Sequence, residues 1–151
     1  MIKIICVGKI KEKFYKEALE EYEKRLSKYT KLKIIEVEDI NLENEMLIKK
    51  KEADLILKNI EKKDYIITLE IEGKELSSIE LSKKIQEQEI INPNITFIIG
   101  GSYGLDNEIK QISNYKLSFS KLTFPHQLFR VILLEQIYRA YKIKNNESYH
   151  K

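Results

Sequence analysis

The chain has 151 residues, 42% of them hydrophobic and 34% charged, with 27 basic against 24 acidic side chains and a net charge of +3. That length suits a single domain over residues 1–151, and that apolar content argues against wholesale disorder. A mean hydropathy of −0.41 without a long apolar run argues against a membrane protein, and a net +3 is too small for tight binding of arbitrary nucleic acid.

The opening run Ile2–Val7 reads as a strand and is too short for a signal peptide. Lys11–Tyr29 reads as a helix with Phe14, Ala18, Tyr22 and Leu26 on one face. Leu32–Val37 is a second strand, and Leu42–Ile60 a helix carrying Met46, Leu47, Leu55 and Ile56. Tyr65–Ile71 is a third strand. Ser77-Ser78-Ile79-Glu80 has capping-box spacing and opens a helix over Ser78–Gln88. Ile95–Ile99 is a fourth strand, Asp106 caps a short helix reaching Ile112, and Lys116–Phe119 is a fifth strand. Pro125 suits the first turn of a helix running to about Lys144. This alternation predicts an α/β fold: a mostly parallel sheet with helices on both faces and ligands beyond the carboxyl ends of its strands.

All five glycines fall at or just past predicted strand ends: Gly8, Gly73, Gly100, Gly101 and Gly104. Three of them sit in Gly100-Gly101-Ser102-Tyr103-Gly104, between a strand and a helix, which reads as a ligand loop. Its spacing is neither that of a dinucleotide loop nor that of a P-loop. One cysteine and two distant histidines make a poor metal set, so a reduced cytoplasmic protein without metal is expected.

The last predicted helix is apolar nearly all round, with Phe129, Val131, Ile132, Leu133, Leu134, Ile137, Tyr138, Ala140 and Tyr141. Cover by a second subunit is the favoured reading, and a central core helix within one chain is the alternative. Arg130, among these apolar residues, needs an interface ion pair or an anion. The positive excess lies in residues 139–151, where Arg139, Lys142, Lys144 and Lys151 face only Glu147, and where phosphates could be met.

Taken together, Val7-Gly8-Lys9, Leu69-Glu70-Ile71-Glu72-Gly73-Lys74, Phe97–Leu105, Ser120–His126, Arg130-Val131, Glu135 to Tyr141 and the end Ser148-Tyr149-His150-Lys151 carry a resemblance. The chain resembles the RlmH-type ribosomal large-subunit RNA methyltransferases, the smallest kind of SPOUT methyltransferase. The resemblance implies a C-terminal trefoil knot, a homodimer and S-adenosylmethionine as cofactor. It also implies, as substrate, N3 of a pseudouridine in 23S rRNA within the assembled ribosome. Cofactor contacts then fall on Leu69, Gly101, Ser120, Lys121, Leu122, Thr123, Phe124 and Pro125. Two departures stand out: Ser102-Tyr103 occupies the usual Pro-Glu position of the glycine loop, and Lys151 replaces a common terminal arginine.

Methyl transfer to an imide-like N3 needs alignment, and a base or a cation to manage the N3 proton. The candidates are His126, His150, Tyr149, Arg139 and Arg130. His126 suits an orienting role, while Tyr149 and His150 in a flexible basic tail suit substrate contact. Cys6, in a strand core, is expected to be inert. A knotted transfer-RNA methyltransferase and a non-enzymatic ribosome-associated module are the alternative readings.

Overall fold

The computed structural model describes all residues, Met1–Lys151. Strands β1 (Ile2–Val7), β2 (Leu32–Val37), β3 (Tyr65–Glu75), β4 (Ile95–Ile99) and β5 (Tyr115–Ser118) alternate with helices α1 (Lys13–Leu26), α2 (Glu45–Leu57), α3 (Ser78–Ile91), α4 (Asn107–Ile112) and α5 (His126–Lys144). All pairings are parallel, in the order β2-β1-β4-β3-β5. Parallel strands require crossovers, and each helix supplies one or closes the chain.

Side-chain alternation divides the core. Ile2, Ile4 and Cys6 of β1 join Phe97 of β4 and Leu133, Leu134 and Ile137 of α5 in the larger cluster, with α1 and α3 flanking α5. Ile5 and Val7 face the other way, onto Ala53 and Ile56 of α2 and Ile109 of α4. The helices therefore cover both faces, as the sequence predicts. On this second face the buried Lys3 ammonium donates to Asp64 at 2.7 Å and to the Asn59 carbonyl at 2.9 Å.

Helix faces differ from the expected stripes. On α1 the expected Leu26 is buried and Tyr22 packs against the core, but Phe14 is exposed and Leu19 is buried in its stead. Met46 and Leu47 are exposed on α2, whose buried face is Ile48, Glu52, Ala53 and Ile56. The capping box at Ser77–Glu80 is present in both directions, and Asp106 Oδ1 accepts from the Glu108 N–H at 2.9 Å.

Within one chain helix α5 is covered in part: Leu133, Leu134, Ile137 and Tyr141 are buried, while Phe129, Val131 and Ile132 stay half-buried. Arg130, 2% exposed, finds its partners internally: Nη1 donates to Glu36 at 2.6 Å and Nη2 to the Gly8 carbonyl at 3.0 Å. It is neither an interface pair nor free to meet an anion.

Strand β3 runs past its expected end because it pairs twice with one residue. Leu69 and Lys74 both lie opposite Leu117 of β5, so Glu70–Gly73 bulge out between them. Gly73 closes this bulge inside the strand rather than following it. A Cβ there would lie 2.8 Å from the Lys116 carbonyl oxygen. Gly73→Ala should therefore lower stability by about 1–3 kcal/mol, the ordinary cost of forced overpacking, read as a lower urea midpoint at unchanged slope.

Candidate active site

Three chain segments meet at one end of the sheet: the Glu70–Glu72 bulge within β3, the Gly100–Leu105 loop after β4 and the Phe119–Phe124 segment after β5. They enclose a cleft of about 410 Å³, within the range of small-molecule sites. Leu69, Ile99, Leu122, Phe124 and Phe129 supply apolar walls. The aromatic wall is continuous, with Phe129 against Phe124 at 5.8 Å and against Phe119 at 5.1 Å between ring centroids.

The glycine loop is a tight turn in which the Gly104 N–H donates to the Gly101 carbonyl at 3.0 Å. Gly104 has φ +81° and open space where a Cβ would project, so the turn needs its left-handed freedom. Gly101 behaves otherwise than expected. Its missing Cβ points to the buried Glu52, 2.9 and 3.1 Å from the two carboxylate oxygens, and to Val7 at 3.2 Å. Bulk at Gly101 would strike this floor before anything held in the cleft.

The cleft carries acidic groups that the sequence reading did not single out. The Glu70 side chain is 7% exposed, accepts from the Thr68 hydroxyl at 2.6 Å and faces Lys110 Nζ at 3.9 Å. The Thr68 hydroxyl also bonds Ser113 at 2.8 Å. The signal was the Glu-Ile-Glu-Gly run itself, an acidic stretch where the continuous run of β-forming residues ends. Glu52 lies 3% exposed under the loop, and burial pushes its carboxyl above the usual range.

Of the expected cofactor contacts, Leu69, Gly101, Ser120, Leu122, Thr123 and Phe124 line the cleft, whereas Lys121 and Pro125 are exposed and outside it. His126, the first residue of α5, is at its edge. Arg139, Tyr149 and His150 are elsewhere. Arg139 lies thirteen residues further along α5, about 20 Å at the helical rise of 1.5 Å per residue.

There the chain end is folded back rather than free. Asn146 turns with φ 54°, and the Glu147 N–H donates to the Lys142 carbonyl at 2.9 Å. Glu147 accepts from the Tyr29 hydroxyl and, at 2.8 Å, from Lys142. The Tyr149 ring meets Tyr138 edge-on at 4.9 Å and lies 4.8 Å below the Arg139 guanidinium. Burial and the hydrogen bond to Glu135 push the Tyr149 phenol up to about 12, so it is a donor at neutral pH. The expected positive tail is largely neutralised: Arg139 pairs with Glu135, Lys142 with Glu147 and Lys144 with Glu89. Burial holds the Cys6 thiol up at about 11, in keeping with an inert core residue.

A five-stranded parallel sheet with helices on both faces and a glycine-turned cleft at one end defines an α/β protein with a small-molecule site. A family model described as predicted SPOUT methyltransferase matches residues 1–150, and the chain belongs to that family and is a methyltransferase. The ribosomal RNA large subunit methyltransferase H of Clostridium tetani is 56% identical, with 99% of each chain covered. Its counterpart from Clostridium botulinum strain Hall is 54% identical over the same share. A solved structure described as a probable methylase family protein from Haemophilus influenzae Rd KW20 shares the fold at a TM-score of 0.58 and 13% identity. That match covers 99% of this chain and 70% of the other.

Glu52 gives a sign-determined pH effect. A carboxyl raised in the folded state holds its proton longer there than in the unfolded chain, so stability falls as pH rises above the ordinary carboxylate range. Glu52→Gln should remove that loss. Its urea midpoint should exceed that of the parent at pH 7, and the gap should close near pH 4. In the same series, Gly101→Ala should cost about 1–3 kcal/mol, and less when Glu52 is replaced by Ala, which would place the clash at that carboxylate.

Proposed function

We propose that the chain methylates N3 of a pseudouridine in 23S rRNA within the assembled ribosome, using S-adenosylmethionine. It works as a cytoplasmic homodimer of one domain, residues 1–151, with its C-terminal segment in a trefoil knot. The observation that carries this reading is the convergence of three strand-end segments on one cleft. The names of the two clostridial relatives support ribosomal over transfer RNA, and family membership sets the non-enzymatic reading aside. The model contains no cluster of metal-ligating side chains and no helix long and apolar enough to cross a membrane.

The cleft fits S-adenosylmethionine by its own chemistry. Leu69, Leu122 and Phe124 offer apolar faces to an adenine, the turn backbones offer N–H and C=O groups to its edge, and Glu70 offers a half-sequestered carboxylate to a cationic group. When bound, S-adenosylmethionine supplies a methyl group already activated by its positive sulfur. The protein must then exclude water, hold N3 in line and stabilise the negative charge left when its proton departs. Arg139, fixed on Glu135, has the charge for that task, with Tyr149 and His150 beside it on the substrate side. His126 at the cleft edge orients the loop before α5.

The 20 Å between cleft and tail cluster supports a dimer in which one chain's tail closes over its partner's cleft. Exposed Leu122 and Tyr103 at the cleft, and Phe14 on α1 close to the start of α5, supply apolar surface for such a partner. The knot is supported by the path after β5. From the sheet edge the chain passes the ends of β3 and β4 and places Arg130 on Gly8 at the end of β1.

Mass spectrometry of 23S rRNA from cells with and without the protein tests the reaction, with loss of one N3-methylated pseudouridine expected. Deletion of Ser148–Lys151 should leave S-adenosylmethionine affinity within about twofold by calorimetry, while ribosome methylation falls by orders of magnitude, because positioning carries most of the rate. Sedimentation should show a dimer at micromolar concentration.

A further inference from the structure

Glu135 gathers more donors than any other carboxylate of the chain. Its Oε1 accepts from Arg139 Nε at 3.0 Å, from Arg139 Nη2 at 2.5 Å and from the Tyr149 hydroxyl at 3.0 Å. Gln136 Nε2 takes its other oxygen at 2.9 Å. With side-chain exposures of 17% for Glu135 and 25% for Arg139, this fork is held away from competing water. The orientation of Arg139 is thereby fixed, and its Nη1 faces His150 Nδ1 at 3.2 Å.

That contact determines the chemistry of the imidazole. A guanidinium carries only donors and keeps its protons at any physiological pH. A hydrogen bond between Nη1 and Nδ1 therefore requires the Nδ1 lone pair, and a neutral ring must then carry its proton on Nε2. A ring in this state has no lone pair left to accept a proton at Nε2, and its Nδ1 is occupied.

We propose that Glu135 is a positioning residue which, through Arg139, fixes His150 as the Nε2–H tautomer, so that His150 donates a hydrogen bond to an oxygen of the RNA and is not the base that takes the N3 proton. This rests on the methyltransferase reading above for its consequence, although the tautomer itself is a property of the free protein. Tyr149, its hydroxyl given to the same carboxylate, is likewise a donor rather than a base. The cluster as a whole is then built to stabilise negative charge.

The test is direct because the chain has only two histidines. Long-range proton–nitrogen correlation spectra of 15N-histidine protein at pH 8, without RNA or cofactor, resolve both rings, and His150→Gln assigns them. His150 should show an unprotonated Nδ1 and a protonated Nε2 at limiting shifts. Glu135→Gln and Arg139→Gln should both move it toward the exchange-averaged values of a free imidazole, leaving His126 unchanged. A protonated Nδ1, or a His150 signal indifferent to both substitutions, overturns the proposal. In ribosome methylation, His150→Gln keeps a donor and should lose about tenfold, the scale of one altered hydrogen bond. His150→Ala should lose more. Loss of about 10²–10⁴-fold in His150→Gln, as for removal of a general base, would also overturn it. A parent protein that shows the expected tautomer but methylates nothing would refute the functional reading alone.

Discussion

Helix α5 must bury the apolar face centred on Leu133, Leu134 and Ile137, and the rest of the molecule is arranged around that fact. Only its first and last residues, His126 and Lys144, are exposed. One side lies on the sheet, and α1 and α3 close the flanks. Burying so apolar a helix brings Arg130 inside with it, and a guanidinium at 2% exposure costs several kcal/mol unless paired. Glu36 and the Gly8 carbonyl meet that demand, and Glu36 also accepts from the Ile10 N–H at 2.9 Å. One buried cation thus ties together β1, β2, the turn into α1 and the start of α5. The chain between β5 and α5 is held at both ends as a result, which is what a cleft wall made of loop requires.

The same helix explains why the site comes in two parts. Its N-terminal turn borders the cleft, and its C-terminal half carries the Glu135–Arg139 fork on which the chain end is folded. A rigid rod between them forbids the two parts from meeting within one subunit. On the proposed reading, binding of a small cofactor and capture of a large substrate are then separable properties of one chain.

The strands were legible where burial is two-sided. Runs such as Ile2–Val7 and Ile95–Ile99 match the structure to the residue because β-branched side chains press on both helical layers. Strand β3 outran its signal because Lys74 and Glu75 pair again after a bulge, and bulges leave no hydrophobic trace. Helix faces were the weaker inference. Four-residue spacing in α1 and α2 is satisfied by several stripes, and the sheet decides which is buried, so Phe14, Met46 and Leu47 face outward. Apolar girth in α5 was a sound reading of burial, and the intrachain neighbours that cover Leu133, Leu134 and Ile137 are remote in sequence. The three strand-end loops of the cleft were legible from their position, but the floor under Gly101 was not. Glu52 belongs to a helix fifty residues away and has no motif around it.

Charge at the chain end carries the last step. Read as sequence, residues 139–151 form a basic tail. In the fold Arg139, Lys142 and Lys144 each face a carboxylate, and two of those carboxylates, Glu135 and Glu89, lie outside the tail itself. Phosphate contacts drive non-specific affinity in proportion to the cations free to make them. A chain of net charge +3 in which three of the four cations of residues 139–151 are paired has little of that affinity to offer. It gains instead a tail whose donors point in fixed directions before substrate arrives, so less ordering entropy is lost on binding. Such a device discriminates by shape and hydrogen-bond direction rather than by charge. It suits a nucleotide presented on a rigid, preformed surface far better than one on a flexible strand.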